Sequence, residues 1–332
     1  MRTTLSFSFF ALFLVSIWAC KTKQIPSSLA YSETQRLILL DSAAASETVI
    51  VDQSENFFDL VTPLDMMIQM KRTYPEGTSR NDILADYKTY LQEDVQSFSA
   101  AEKEGLNKVF KNAFDLCQKL NPNIFPKELK LIKSKGQPYG LSTFYTRDNS
   151  IIIPAGLLGE GNIPLLLDVA LHEIFHIYSR YNPPRKNELY ALIGYKPVEQ
   201  SLLDIPDALH DRLLLHPAGV NYAYVMTLKN PKGESIQAIP LIVSTETEFK
   251  PEQPAFFGYL KFDLYQIHAP FVKRIPVLAN NDGTSTINFQ EMPDFFRQIR
   301  DNTGYIIHPD EVLADNFVLV AQRQGLEESD DS

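Results

Sequence analysis

The chain has 332 residues, 44% of them hydrophobic and 22% charged, with a formal net charge of −10. That length and apolar content suffice to bury a sizeable core without a disulfide framework, for which only Cys20 and Cys117 are available. The acidic balance argues against a surface built for nucleic acid or anionic lipid.

In chain order, residues 1–19 read as a secretory signal. Arg2 is followed from Leu5 by an apolar run, LSFSFFALFLVSIWA, too short to span a bilayer comfortably. Ile17-Trp18-Ala19-Cys20 resembles the bacterial lipobox. The resemblance implies lipidation of Cys20 after cleavage, and attachment to the bacterial envelope facing the periplasm or the cell exterior. Cys117 then has no partner. Its helical neighbours Val109, Phe110, Ala113 and Phe114 are apolar, which makes it a core residue.

Residues 20–33 read as a polar tether. A helical region follows, within a unit spanning 34–199. Pro63 opens a helix through Lys71, and Thr78 or Ser79 caps a second through about Val95. Ser99, with Glu102 three residues on, makes a capping box for a third helix to about Leu120. The period then changes. Leu129–Ile132, Leu141–Tyr145 and Ile151–Ile153 read as short strands, with a turn at Asp148-Asn149 between the last two. An apolar helix comes next and ends at Asn182-Pro183-Pro184, and a shorter one runs from Lys186 to Ile193. Residues 200–290 are rich in strands and turns. Helical patterns return in 291–326, at Met292–Arg300 and from Pro309 to about Gln324, before an acidic tail at 327–332.

The apolar helix before Asn182 carries the most informative residues, His172-Glu173-Ile174-Phe175-His176. Positions four apart lie on one helical face, so the two imidazoles can grip one zinc ion. Glu173, beside the first, can reach a water bound to that metal. A third ligand is needed. The extended motif that ends in a third histidine is absent, because Ser179 and Asn182 occupy its glycine and histidine positions. Two glutamates remain. Glu188 follows closely on the next helix. Glu311 opens the last helix behind Pro309, with Asp315 one turn on, on the same face. Glu311 is preferred because Asp315 can orient His172 through its other ring nitrogen, a need that ligating histidines share. Glu188 is the alternative.

These residues resemble those of the gluzincins, the thermolysin-like clan of zinc metallopeptidases. In that clan an H-E-x-x-H helix packs against an E-x-x-x-D helix. His172, Glu173, His176, Glu311 and Asp315 match the pattern. The resemblance implies an α+β, zincin-like fold with one Zn2+ held by His172, His176 and Glu311. It also implies Asp315 behind His172, Glu173 as general base, and a peptide or protein substrate lying along an edge strand near Ser142–Arg147. The two motifs stand well over a hundred residues apart, so residues 200–290 read as a β-rich insertion between the halves of the site. An oxyanion donor is also required. Tyr190, Tyr195, His210, His216, Tyr305 and His308 are all candidates, and the sequence does not choose among them. The rival functions are a non-catalytic zincin-fold binding protein of the envelope and a metal-dependent hydrolase of non-peptide bonds.

Overall fold

The computed structural model describes residues 27–159, 161–218, 222–268 and 274–327. The signal-like segment, Cys20 and the tail beyond Glu327 lie outside the described residues. No described helix is long and apolar enough to cross a membrane.

The fold is mixed α/β. Its first sheet has β1 (Ser27–Ala30), β2 (Arg36–Leu39), β4 (Glu128–Ser134), β6 (Ser150–Pro154) and β5 (Tyr145–Arg147) side by side in that order. The short β3 (Val95–Gln96) pairs with β4 off this path. The three central strands are mutually parallel, whereas β1 and β5 run antiparallel at the edges. Ser27–Ala30 falls inside the segment read as a tether, so that expectation is corrected. These residues pair in register with Arg36–Leu39, and Leu37 and Leu39 are fully buried.

Helices cover both faces of this sheet. On one lie α1 (Ser42–Thr48), α2 (Phe57–Leu60), α3 (Pro63–Met70) and α4 (Arg80–Asp94), whose apolar residues meet Ile132, Tyr145 and Ile152. On the other lie α5 (Ala100–Leu120) and α6 (Leu167–Tyr181), packed on Leu131, Ile151 and Ile153. Adjacent strand residues thus serve opposite cores, as the pleat requires. The local signals for these helices hold in detail. Thr62 caps α3, Ser79 caps α4, and both hydrogen bonds of the Ser99–Glu102 capping box are present. The expected strand at Leu141–Tyr145 begins only at Tyr145. Gly140, at φ +116°, and a turn closed by Thr143 N–H to Gly140 O break the pattern before it.

After α6 come α7 (Pro183–Leu192) and a second, antiparallel sheet. Its order is β11 (Leu260–Ile267), β10 (Ser235–Ser244), β9 (Tyr224–Lys229) and β7 (Tyr195–Pro197). The β-rich region therefore starts at Tyr195, slightly before the expected boundary at 200. It also contains the pair β8 (Leu203–Asp204) and β12 (Ile275–Pro276) and one turn of helix, α8 (Asp207–His210). The last helices are α9 (Pro293–Ile299) and α10 (Pro309–Glu327). One face of the second sheet packs on α7, α9, α10 and Phe175 of α6. Helix α6 is thus held between the first sheet and the second lobe, with Leu171, Ile174 and Ile177 wholly buried. Truncating Ile174 to Ala costs about 2–5 kcal/mol at such a site.

Candidate metal centre

Helices α6 and α10 meet along the face that carries His172 and His176. The two imidazoles stand edge to face with centroids 4.7 Å apart, as the four-residue spacing dictates. The α10 helix begins at Pro309, and His308 caps it by accepting the Asp310 N–H at Nδ1. That start aims Asp310, Glu311 and Asp315 at α6.

The two histidines are used in the same way. Glu311 Oε2 is 2.9 Å from His172 Nε2, and Glu311 Oε1 is 3.2 Å from His176 Nε2. The Nδ1 atoms face other carboxylates, His172 to Asp315 Oδ1 at 3.0 Å and His176 to Asp310 Oδ2 at 2.7 Å. Each ring is fixed from behind while its Nε2 converges on one glutamate. Thr303 Oγ1 donates to Asp315, and Ser179 Oγ and Tyr190 OH donate to Asp310 at 2.9 and 2.8 Å.

These side chains fit a metal ion. His172, Glu173 and His176 bring potential ligand atoms within 4.8 Å of one another, a group able to hold one. Ligands around tetrahedral zinc, bonded at about 2.0–2.1 Å, stand roughly 3.3 Å apart, close to the spacings from Glu311 to the two Nε2 atoms. Three buried polar atoms here make no well-aligned hydrogen bond among the described residues: His176 Nε2 and Glu311 Oε1, which face each other at 3.2 Å, and Glu173 Oε2. Buried polar atoms are rarely left so. Two imidazoles and a carboxylate also form a known catalytic zinc donor set.

The electrostatics follow from the pairing of the imidazoles with these carboxylates. Burial pulls His172 down, yet its bonds to Asp315 and Glu311 carry it up to about 9. His176 rises well above its ordinary value, against burial, through Glu311 and Asp310. Despite its own burial, Glu311 is held well below the carboxylate range by His176 and His216. Glu173 moves the other way. Burial raises it, and the nearby His176 and His172 only partly oppose that.

A cavity of 540 Å³ opens over this cluster, with Glu173, His216 and Tyr305 on its walls. His216 Nδ1 accepts the Ala218 N–H at 3.2 Å, and burial holds the ring neutral, down to about 4. The same Nδ1 stands 3.2 Å from Glu311 Oε1, and Nε2 stands 3.0 Å from the Tyr305 oxygen. Tyr305 is thereby fixed on the cavity wall beside Glu173.

The other sequence candidates lie elsewhere. Glu188, the alternative ligand, is not brought to the site. It is exposed on α7 and paired with Arg185 at 2.5 Å. Tyr190, two residues on and so on nearly the opposite face of the helix, is buried against Asp310. His210 is exposed beside Asp211. The Tyr195 hydroxyl is buried without a hydrogen-bond partner.

Two residues that the sequence did not single out, Asp310 and Arg180, hold the site together. Arg180 ends the motif helix and binds Glu55, Asp148 O, Thr146 Oγ1 and Ala218 O. It thereby ties the loop carrying His216 to α6. No local signal announces these long-range contacts, although a charged residue on the inner face of an apolar helix is itself an anomaly that asks for partners.

Compared with family models, curated proteins and solved structures, the chain matches none at a significant level.

Proposed function

We propose that this chain is a zinc metallopeptidase of the gluzincin type, with a zincin-like arrangement of α6 against α10. One observation carries the reading: both motif Nε2 atoms converge on Glu311 while both Nδ1 atoms are held by carboxylates of the same helix. His172, His176 and Glu311 would hold the zinc. When bound, it supplies Lewis acidity and lowers the pKa of a coordinated water.

The chain's own residues do the rest. Glu173 Oε2, buried and without a partner, takes a proton from a water in the cavity and returns it to the departing amine nitrogen. Burial keeps that carboxyl raised, nearer the working pH of a general base. Tyr305, held by His216, donates its O–H to the oxygen on which negative charge develops. Asp315 and Asp310 keep both imidazoles in the tautomer that offers Nε2. The peptide lies beside Ser142–Phe144, which line the cavity just before β5, the outermost strand of its sheet. We further propose attachment to a bacterial envelope through Cys20. Loss of acyl labelling and of membrane association in Cys20→Ser tests that.

The rival binding-module reading gives no account of Glu173, whose buried carboxylate a pure scaffold does not need. The test is metal analysis combined with peptide hydrolysis. Purified protein is expected to carry about one zinc per chain, and His176→Ala to lose most of it. Glu173→Gln should keep zinc and fold while hydrolysis falls by about 10²–10⁴-fold. Zinc-independent hydrolysis, or equal zinc content in parent and His176→Ala, contradicts the proposal.

A further inference from the structure

The cavity lining includes an exposed carboxylate near apolar side chains, which together outline a slot for a substrate side chain. Asp168 precedes His172 by one turn on the same face of α6, about 6 Å along the axis, and lines the cavity. Its Oδ1 accepts from Gln322 Nε2 of α10 at 2.5 Å. Val318 and Leu319 precede Gln322 by one turn of α10 and, with Val169, line the same space.

The charges there are one-sided. Of the carboxylates on the cavity wall, Glu311 and Asp315 face the imidazoles, and Glu173 is the proposed base. Asp168 alone has no such employment. Among the described residues, no Lys or Arg lines the cavity. Glu173 lines the same cavity, and its buried Oε2 has no hydrogen-bond partner among the described residues.

We propose that Asp168 is a specificity-determining residue, which selects peptides with a Lys or Arg side chain beside the bond to be cleaved. The proposal rests on the peptidase reading. A Lys or Arg stem is a three- or four-carbon apolar rod with a cation at its tip. Laid along Val169, Val318 and Leu319, it brings that cation to the Asp168 carboxylate for a charge-assisted hydrogen bond. An acidic substrate side chain meets only like charge in this slot, with no cation to receive it. A substrate amino terminus offers the same positive charge, so the test separates the two sources.

The test uses zinc-loaded full-length protein and a library of N-acetylated, C-amidated peptides, with cleavage sites read by mass spectrometry. Lys and Arg are expected to be enriched next to the cleaved bond. In matched peptides, kcat/KM for Arg should exceed that for its neutral isostere citrulline by roughly 5–10-fold. Asp168→Asn should bring this ratio close to one, and Asp168→Lys should turn the preference toward Glu. Zinc content of both variants verifies that the site is intact. Equal cleavage of Arg and citrulline peptides by the parent overturns this inference and leaves the peptidase reading standing. A preference that appears only with an unblocked amino terminus assigns the slot to that amine and overturns the side-chain assignment. No zinc-dependent cleavage of any peptide overturns both readings.

Discussion

The two flanks of the candidate metal centre are built differently. On the inner flank, His176 and Asp310 are 1% and 2% exposed. Asp310 there accepts from three side chains. Behind them Glu55 takes Arg180 at 2.7 Å and Lys186 at 3.7 Å, all deep in the protein. On the outer flank, the His172 and Asp315 side chains are 15% and 34% exposed, and one threonine backs the aspartate. The same histidine–carboxylate pairing thus serves two ends. The inner pair is locked into the fold, and the outer pair stands partly exposed on the cavity wall.

The largest effect expected from this asymmetry is on stability at the inner flank. Glu55→Ala leaves two buried cations without their carboxylate, which costs about 3–5 kcal/mol, measurable by urea unfolding. A pH series sharpens the same point. Despite its burial, Glu55 is held below its ordinary value of 4.5 by Arg180 and Lys186. A carboxylate with a lowered folded-state pKa contributes stability that is complete above the unfolded value and is lost as pH falls through the folded one. The parent should therefore lose stability as pH drops below about 4.5. Glu55→Gln should start lower and lose less over that interval, and parallel curves would contradict the role given to Glu55.

The next contrast lies in the two orienting carboxylates. Asp310→Ala and Asp315→Ala should each weaken zinc binding by about 10–100-fold in competition with a chelator. Only Asp310→Ala should also destabilise the fold by about 1–3 kcal/mol, because buried Ser179 and Tyr190 lose their acceptor. Equal unfolding midpoints for the two variants would erase the distinction between the flanks. The smallest expected effect is that of Thr303→Val. It removes one donor from Asp315 and the acceptor of the Tyr305 N–H, and should weaken zinc binding by roughly 0.5–1.5 kcal/mol.

The sequence made the local half of this architecture legible. Capping by Ser79, the Ser99–Glu102 box, the start of α3 at Pro63 and the motif itself all depend on residues within a few positions of one another. Glu311 and Asp315 were visible too, because their spacing repeats the logic of a helix face. Asp310 was not, since its partners Ser179 and Tyr190 lie 131 and 120 residues away and nothing local distinguishes it from an acid at a helix start. His216 stood as one candidate among six. Its role emerges only when the β-rich lobe brings its loop beneath Glu311 and Arg180 fastens Ala218 to α6. Strands β1 and β2 were hidden for a related reason. They are four residues each, and only their pairing with one another and that of β2 with the distant β4 make them part of a sheet.

The central claim is that the third ligand comes from α10, across the whole β-rich lobe, and not from the neighbouring α7. Zinc affinity of Glu311→Gln and Glu188→Gln, measured side by side in folded protein, tests it most directly. Glu188, exposed and paired only with Arg185, should be replaceable with about one zinc per chain retained at parental affinity, whereas Glu311→Gln should lose most of its zinc at the same chelator concentration. Loss of zinc in Glu188→Gln with retention in Glu311→Gln would contradict the account.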